Sequence, residues 1–496
     1  MLNFKNKYLQ TKKKYVKQIG GCSKSQYTGR YYQTDITHDG PIVALSDIHG
    51  DLHAFIIALR DCSEVIGKQN FNNNEIDPEL EYYLNMDIST EDGNYDETLG
   101  YKWIGRNTYV VICGDIIDLQ RSDEHGRPIL NCRKNLVFNN NEYRGTPCLQ
   151  YPQIEIKILR FINAINKLAK EDGGRIIKLL GNHELENIEG SDRQFIKDYS
   201  FKNDHHDNYY RGFNRLYIFN VGNPGFQLLL EDGCGFLIKI NNTIFVHGEL
   251  PPDYITIREI NQDNNTLNNP NIDLIDFRQL YERRYSKEDS SPLWLRNWAD
   301  NKEINHRYLQ NKQNTYCKKN IIPRIQKFLN LNDATEVNNY RVILGHCPQY
   351  LSTRDNNISS TFNHLITEND VVKIYDQENI YTDRANLNNQ NTIFGITMQC
   401  PKQDNDNFVY HVDIGSSRAF DEPLHDIVDN ETQNRSLFSR TPQVLFITDD
   451  KILIVKSKMK NTRIHLPREN YEIHHNSFSD PLHINSEEYD NNSNNS

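Results

Sequence analysis

Short apolar runs alternate with longer amphipathic stretches through the first third of the chain. The runs at 41–46 (PIVALS), 108–113 (TYVVIC) and 175–180 (RIIKLL) have the length and β-branched content of buried strands. Between them lie two stretches with apolar residues at helical intervals. One covers about 51–65 (DLHAFIIALRDCSEV). The other covers 152–174 (PQIEIKILRFINAINKLAKEDGG), where Gly173 and Gly174 supply the stop. The order strand, helix, strand, helix, strand predicts parallel strands joined by helical crossovers.

The pattern then changes. GFLIKINNTIFVHG predicts a hairpin turning at Asn241-Asn242, and QVLFITDDKILIVKS predicts a second around Asp449-Asp450. Single strands are expected at 341–346 and 408–415. The expected fold class is α/β: a βαβαβ first half completing a two-sheet β-sandwich flanked by helices. No internal repeat is visible.

Three stretches stand apart. Residues 1–24 form a basic leader with Tyr8, Leu9, Tyr15, Val16 and Ile19 at helical spacing, ending at Gly20-Gly21. It reads either as a solvated, frayed helix or as a docking segment. Residues 68–106 are polar, acidic and Asn-rich, and are expected as a surface insertion within a catalytic domain spanning 25–467. Residues 468–496 are rich in Asn, Ser and acids and are expected to be disordered.

Composition narrows the choices. A net charge of −11 argues against a nucleic-acid partner, but says nothing against a small phosphorylated substrate. The nine cysteines include no CxxC pair, so neither a structural zinc nor a disulfide framework is expected, and the compartment reads as intracellular and reducing. No apolar run is long enough for a transmembrane helix.

The chemistry lies where the strands end. VALSDIHGD places Asp47 and His49 past the first strand, and VICGDIID places Asp115 and Asp118 past the second. KLLGNHE, TIFVHGE and VILGHCP add Asn182, His183 and Glu184, then His247, then His346. A lone histidine after a strand is more often a satisfied histidine than a ligand. Five such strand ends, most beside a glycine, make a site outside the carboxyl ends of the strands. Carboxylate, amide and imidazole together suit first-row metals, and the donors are too many for one ion. Two ions suit in-line displacement at phosphorus.

These motifs resemble the calcineurin-like metallophosphoesterase superfamily, in its phosphoprotein phosphatase branch. LGNHELENIEG, SPLWLRN, ILGHCPQ and VYHVDIGSSRAF are similar to the bacterial-type Shewanella-like protein phosphatases. The resemblance covers about 41–420. It implies that Asp47 and His49 hold one metal, that Asp115 bridges, and that Asn182, His247 and His346 hold the second. The cofactors implied are two divalent ions, manganese first, with iron or zinc as alternatives. The resemblance also implies that a hydroxide held between the ions would attack phosphorus and that His183, oriented by Asp118, would protonate the leaving oxygen.

The sequence departs from the family pattern in three places. Ser46 stands for a glycine and is expected to be harmless. Glu249 replaces the second glycine of HGG, which is expected to bring a carboxylate near a site that admits a dianion. Leu119 stands where the family has an arginine, so Arg296 of PLWLRN becomes the first candidate for gripping phosphate, ahead of Arg121 and Arg418.

The function this implies is a protein phosphatase acting on Ser/Thr or Tyr. Hydrolysis of a dinucleoside polyphosphate or another small phosphate compound is the enzymatic alternative, and a scaffold retaining the fold is the non-enzymatic one. Lys/Tyr-rich leaders ending in Gly-Gly also resemble those of mimivirus-like giant viruses, which would place the protein in host cytoplasm or virion; the Asn runs fit an AT-rich genome equally well.

Overall fold

The computed structural model describes residues 32–68, 79–80, 83, 95–118, 135–138, 141–144, 151–189, 218–251, 256–286, 290–296, 298, 317–346, 350–352, 392–394, 396–401, 407–414, 442–448 and 452–456. The leader, the tail, Leu119, Arg121 and Arg418 lie outside the described residues.

Twelve strands make two six-stranded sheets. They are β1 (Asp35–Ile36), β2 (Ile42–Leu45), β3 (Tyr109–Ile112), β4 (Arg175–Leu179), β5 (Cys234–Gly235), β6 (Leu237–Ile240), β7 (Thr243–Val246), β8 (Arg341–Leu344), β9 (Thr397–Pro401), β10 (Asn407–His411), β11 (Gln443–Ile447) and β12 (Ile452–Lys456). The first sheet runs β12-β11-β2-β3-β4-β5, and the second β1-β6-β7-β8-β10-β9. From β2 to β5 the first sheet is parallel, with Leu45 opposite Ile112 and Ile112 opposite Lys178. In the second sheet β7 and β8 are parallel, with Val246 opposite Leu344. Both expected hairpins form: β6 pairs antiparallel with β7, and β11 with β12.

Alternation along the strands divides the core into three parts. Ala44, Val111, Ile177 and Leu179 meet Ile238, Phe245, Ile343 and Tyr410 between the sheets. Val43, Val110, Ile112 and Ile176 face the other way, towards helices α1 (Leu52–Ile57) and α2 (Tyr151–Glu171). Ile244, Val246, Val342 and Leu344 face Ile260 and Phe328, which lie on helices α5 (Ile257–Leu267) and α7 (Ile322–Leu329). The remaining helices of the sandwich are α3 (Asn182–Glu189), α4 (Pro224–Leu230) and α6 (Leu274–Arg284). The result is the mixed α/β fold expected, two sheets flanked by helices.

Two expectations need correction. The stretch 68–106 is not only surface: Leu80, Tyr83, Leu99, Tyr101 and Trp103 are buried in the helix-side core of the first sheet. Widely spaced aromatics in a polar context carry no periodic signal, yet each buries a large apolar area. Among the cysteines, Cys62, Cys113 and Cys234 are free and buried, but Cys317 is disulfide-bonded. Spacing along the chain does not tell which thiols meet in space.

Candidate metal centre

Leaving a buried parallel strand, the backbone must turn sharply to expose its next side chains. Here the turns use the left-handed region. Asp47, His49, Asp115, Asp118 and His346 are five of the eleven non-glycine residues with positive φ among the described residues. That conformation is unfavourable for L-residues and persists only where surroundings hold it. The hold is a ladder between two turns: Asp47 N–H donates to Gly114 O (3.1 Å), His49 N–H to Asp115 O (2.9 Å) and Gly50 N–H to Ile116 O (2.6 Å).

Glu184 makes the second brace. Its buried carboxylate accepts from Asp115 N (2.9 Å), Gly181 N (2.7 Å), Ile116 N (2.7 Å) and Ile117 N (3.0 Å). One side chain thus fixes the turns after β3 and β4 together. Burial, and then the Asp115 carboxylate, push its pKa up to about 7 despite those donors. Glu155 on α2 does the same for Asp118, accepting its N–H at 2.9 Å. Glu184 stands out in the sequence only as part of KLLGNHE, with nothing to mark it as a brace, and Glu155 carries no signal that distinguishes it from a solvated acid.

The functional side chains converge in the buried space above these turns. Asp47, His49, Asp115, Asp118, Asn182, His183, His247 and His346 are each at most 4 % exposed. His49 Nδ1 lies 3.2 Å from Ile117 O, so Nδ1–H donates there and Nε2 presents a lone pair. That Nε2 stands 3.8 Å from Asp47 Oδ1 and 3.7 Å from Asp115 Oδ2. These gaps are too long for hydrogen bonds and leave room for an ion between the donors.

The second group is tighter. His247 Nδ1–H donates to Cys113 O (2.7 Å), which makes Nε2 the lone-pair nitrogen of the neutral ring. Nε2 faces Asn182 Oδ1 (3.0 Å), His346 Nδ1 (3.1 Å) and Asp115 Oδ1 (3.4 Å). Lone pairs gathered this closely repel unless a proton or a cation sits among them. The field is correspondingly strong. Burial lowers the His247 pKa, but Asp115, Asp47 and the Cys113 carbonyl together outweigh it and raise the value to about 9. Burial disfavours the Asp115 charge, yet His247 and His183 hold it well below the ordinary carboxylate range. For His346, burial and then His247 and Arg296 push the pKa well down. The donor set therefore fits two divalent ions, and the two oxygens of Asp115 point one to each group. The triads His49–Asp115–His183 and Asp115–His247–His346 each bring their ligand atoms within 4.8 Å of one another.

His183 lies within reach of the first group, but another contact decides its role. Its Nδ1 is bonded to Asp118 Oδ2 at 2.5 Å, while Nε2 stands 3.7 Å from Asp115 Oδ2. The carboxylate fixes the tautomer and aims Nε2 into the site.

The three departures resolve differently. The Ser46 hydroxyl is not idle: it lies against Asp47 Oδ2 and 3.0 Å from Cys113 O, and Asp47 Oδ2 also accepts His346 N–H at 3.0 Å. Asp47 is thereby left with Oδ1 facing His49. Glu249 does not face the site. It is buried, and its carboxylate accepts from Trp298 N–H and from Arg324 Nη1 (3.3 Å). Arg296 is exposed at the site's edge, with Nε 2.8 Å from His346 Nε2, which also lies 3.2 Å from Trp294 O.

A two-sheet α/β sandwich with dinuclear-type donor groups at its strand ends defines a metal-dependent phosphoester hydrolase. The family model described as calcineurin-like phosphoesterase matches residues 40–380, and the chain belongs to that family. Among solved structures, the chain is similar to a cold-active protein-tyrosine phosphatase of a psychrophile Shewanella species, at 15% identity over 87% of this chain and 81% of that one, with a TM-score of 0.39. A point mutant of a cold-active protein tyrosine phosphatase matches at 15% identity over 87% and 82%, with a TM-score of 0.42. No described helix is long and apolar enough to cross a membrane.

Proposed function

We propose that the chain hydrolyses phosphomonoesters, with phosphorylated Ser, Thr or Tyr of proteins as substrate, using two divalent ions, manganese foremost. The observation that carries this reading is the Asp118–His183 pair. Polyphosphate leaves readily without a proton. An alkoxide or a phenolate, whose parent pKa is about 10 for tyrosine, does not. A histidine held at 2.5 Å by a buried carboxylate, with its other nitrogen directed inward, is built for a leaving group that needs a proton.

Asp47 and His49 would hold the first ion, Asn182, His247 and His346 the second, and Asp115 would serve both. When bound, the ions supply Lewis acidity at the phosphoryl group and acidify water at neutral pH. The protein's own residues do the rest. Arg296, at the edge of the site, offers two parallel donors to the outer phosphate oxygens. His183 Nε2–H donates to the departing oxygen, and Asp118 stabilises the imidazolium beforehand. Arg121 and Arg418 remain secondary candidates for the phosphate.

Phosphate release from phosphoserine peptide, phosphotyrosine peptide and diadenosine tetraphosphate, with manganese present, tests this reading. The peptides should be turned over and the dinucleotide should not. Preferential cleavage of the dinucleotide would replace the protein-phosphatase reading with the polyphosphate one. Arg296→Ala should lower turnover roughly 100- to 1000-fold at unchanged metal content.

A further inference from the structure

The strand β7 delivers His247 to the site, and the two residues that follow it grip another segment. Gly248 N–H donates to Pro292 O at 2.8 Å. Glu249 accepts the N–H of Trp298. Arg296 therefore lies between two points tied to the same dipeptide. From Pro292 the turn is closed by Trp294 N–H and Leu295 N–H, both donating to Ser291 O at 3.2 Å.

Glu249 is a carboxylate at 1 % exposure, which is unfavourable unless both oxygens are satisfied. The second oxygen accepts from Arg324 Nη1 at 3.3 Å. Arg324 comes from α7, donates also to Leu250 O (3.2 Å), and places its guanidinium 5.6 Å over the Trp298 ring. The Trp298 ring is fully buried. Main chain and ring of Trp298 are thus both held by one ion pair, two residues from Arg296.

We propose that Glu249 is a positioning residue for Arg296, fixing the phosphate grip from behind through Trp298 and Arg324. A glycine here has no side chain to reach Trp298. The chain thus replaces a bare close approach with a charged brace. A guanidinium on a long side chain gains from a fixed backbone, because only a preorganised donor acts without rearrangement as charge develops on phosphate. The inference rests on the reading of Arg296 as the phosphate-gripping residue.

The test uses the full chain loaded with manganese, para-nitrophenyl phosphate as substrate and inorganic phosphate as inhibitor. Glu249→Ala and Arg324→Met should each weaken phosphate inhibition and lower kcat/KM about 10- to 100-fold, less than loss of the arginine itself. Metal content should not change. Glu249→Gln, which keeps an acceptor for Trp298 N–H, should recover most of the loss. Adding Glu249→Ala to Arg296→Ala should change kcat/KM by less than about twofold, because the two act through one group. Equal losses in both backgrounds, or normal phosphate inhibition in Glu249→Ala, would overturn the proposal. So would a silent Glu249→Ala beside a crippled Arg296→Ala. A silent Arg296→Ala would instead remove the arginine reading on which the inference stands. If Glu249→Ala does not fold, Arg324→Met carries the same expectation, since it removes the ion pair behind Trp298 and leaves the Glu249 bond to Trp298 N–H in place.

Discussion

At the scale of single residues, the site separates two carboxylates that look alike in the chain. Asp115 and Asp118 follow the same strand, three positions apart, and both turn through positive φ. Asp115 directs its oxygens to the two donor groups, whereas Asp118 spends one on His183. Asp118→Asn should therefore keep its metal and lose the oriented imidazole. Turnover is expected to fall about 100- to 10,000-fold, the range of general acid catalysis. An aryl phosphate series gives the check: the deficit should shrink as the leaving group becomes less basic. A deficit independent of the leaving group would mean that Asp118 serves only to hold the turn.

At the scale of elements, the turn after β3 is governed by Gly114. Its φ is +87°, and a Cβ there would stand 2.6 Å from His247 Nδ1 and 2.7 Å from Gly181 N. Gly114→Ala should be destabilising by about 1–3 kcal/mol and should weaken metal uptake, read by urea unfolding and metal analysis. The end of β10 carries a different constraint. His411 is buried, and neither ring nitrogen has a hydrogen-bond partner among the described residues. Burial alone pushes its pKa from 6.5 down to about 4. Between those values the unfolded chain binds the proton and the folded one does not. Stability should thus fall as pH drops from 6.5 to 4, by up to about 3 kcal/mol. His411→Leu should flatten that part of the profile in urea titrations. An unchanged slope would show that His411 does not govern it.

The same elements show what the sequence carries and what it does not. Strand ends are legible because an apolar run stopping at Gly, Asp, Asn or His is a local pattern. The braces are not, because Glu184, Glu155 and Glu249 act through distant backbone N–H groups. Glu249 is the clearest case. Adjacency to His247-Gly248 suggests a carboxylate in the site, but the chain bends at 247–248, past the end of β7, and the Glu249 carboxylate reaches Trp298 and Arg324 instead.

At the scale of the whole molecule, the site exists only where two sheets meet. The first sheet brings Asp47, His49, Asp115, Asp118, Asn182 and His183; the second brings His247 and His346. The hydrogen bond from Gly345 N–H to His247 O (2.8 Å) aligns the two ends of the second sheet, and that from His346 N–H to Asp47 Oδ2 (3.0 Å) joins the sheets. Ions bound across this seam should stabilise the fold as well as drive the chemistry. The most direct test is phosphate release from para-nitrophenyl phosphate by the full chain, stripped with chelator and then titrated with manganese. The stripped protein should show no turnover, and recovery should level off at two ions per chain. Full turnover in the chelated, metal-free sample would contradict the two-metal mechanism.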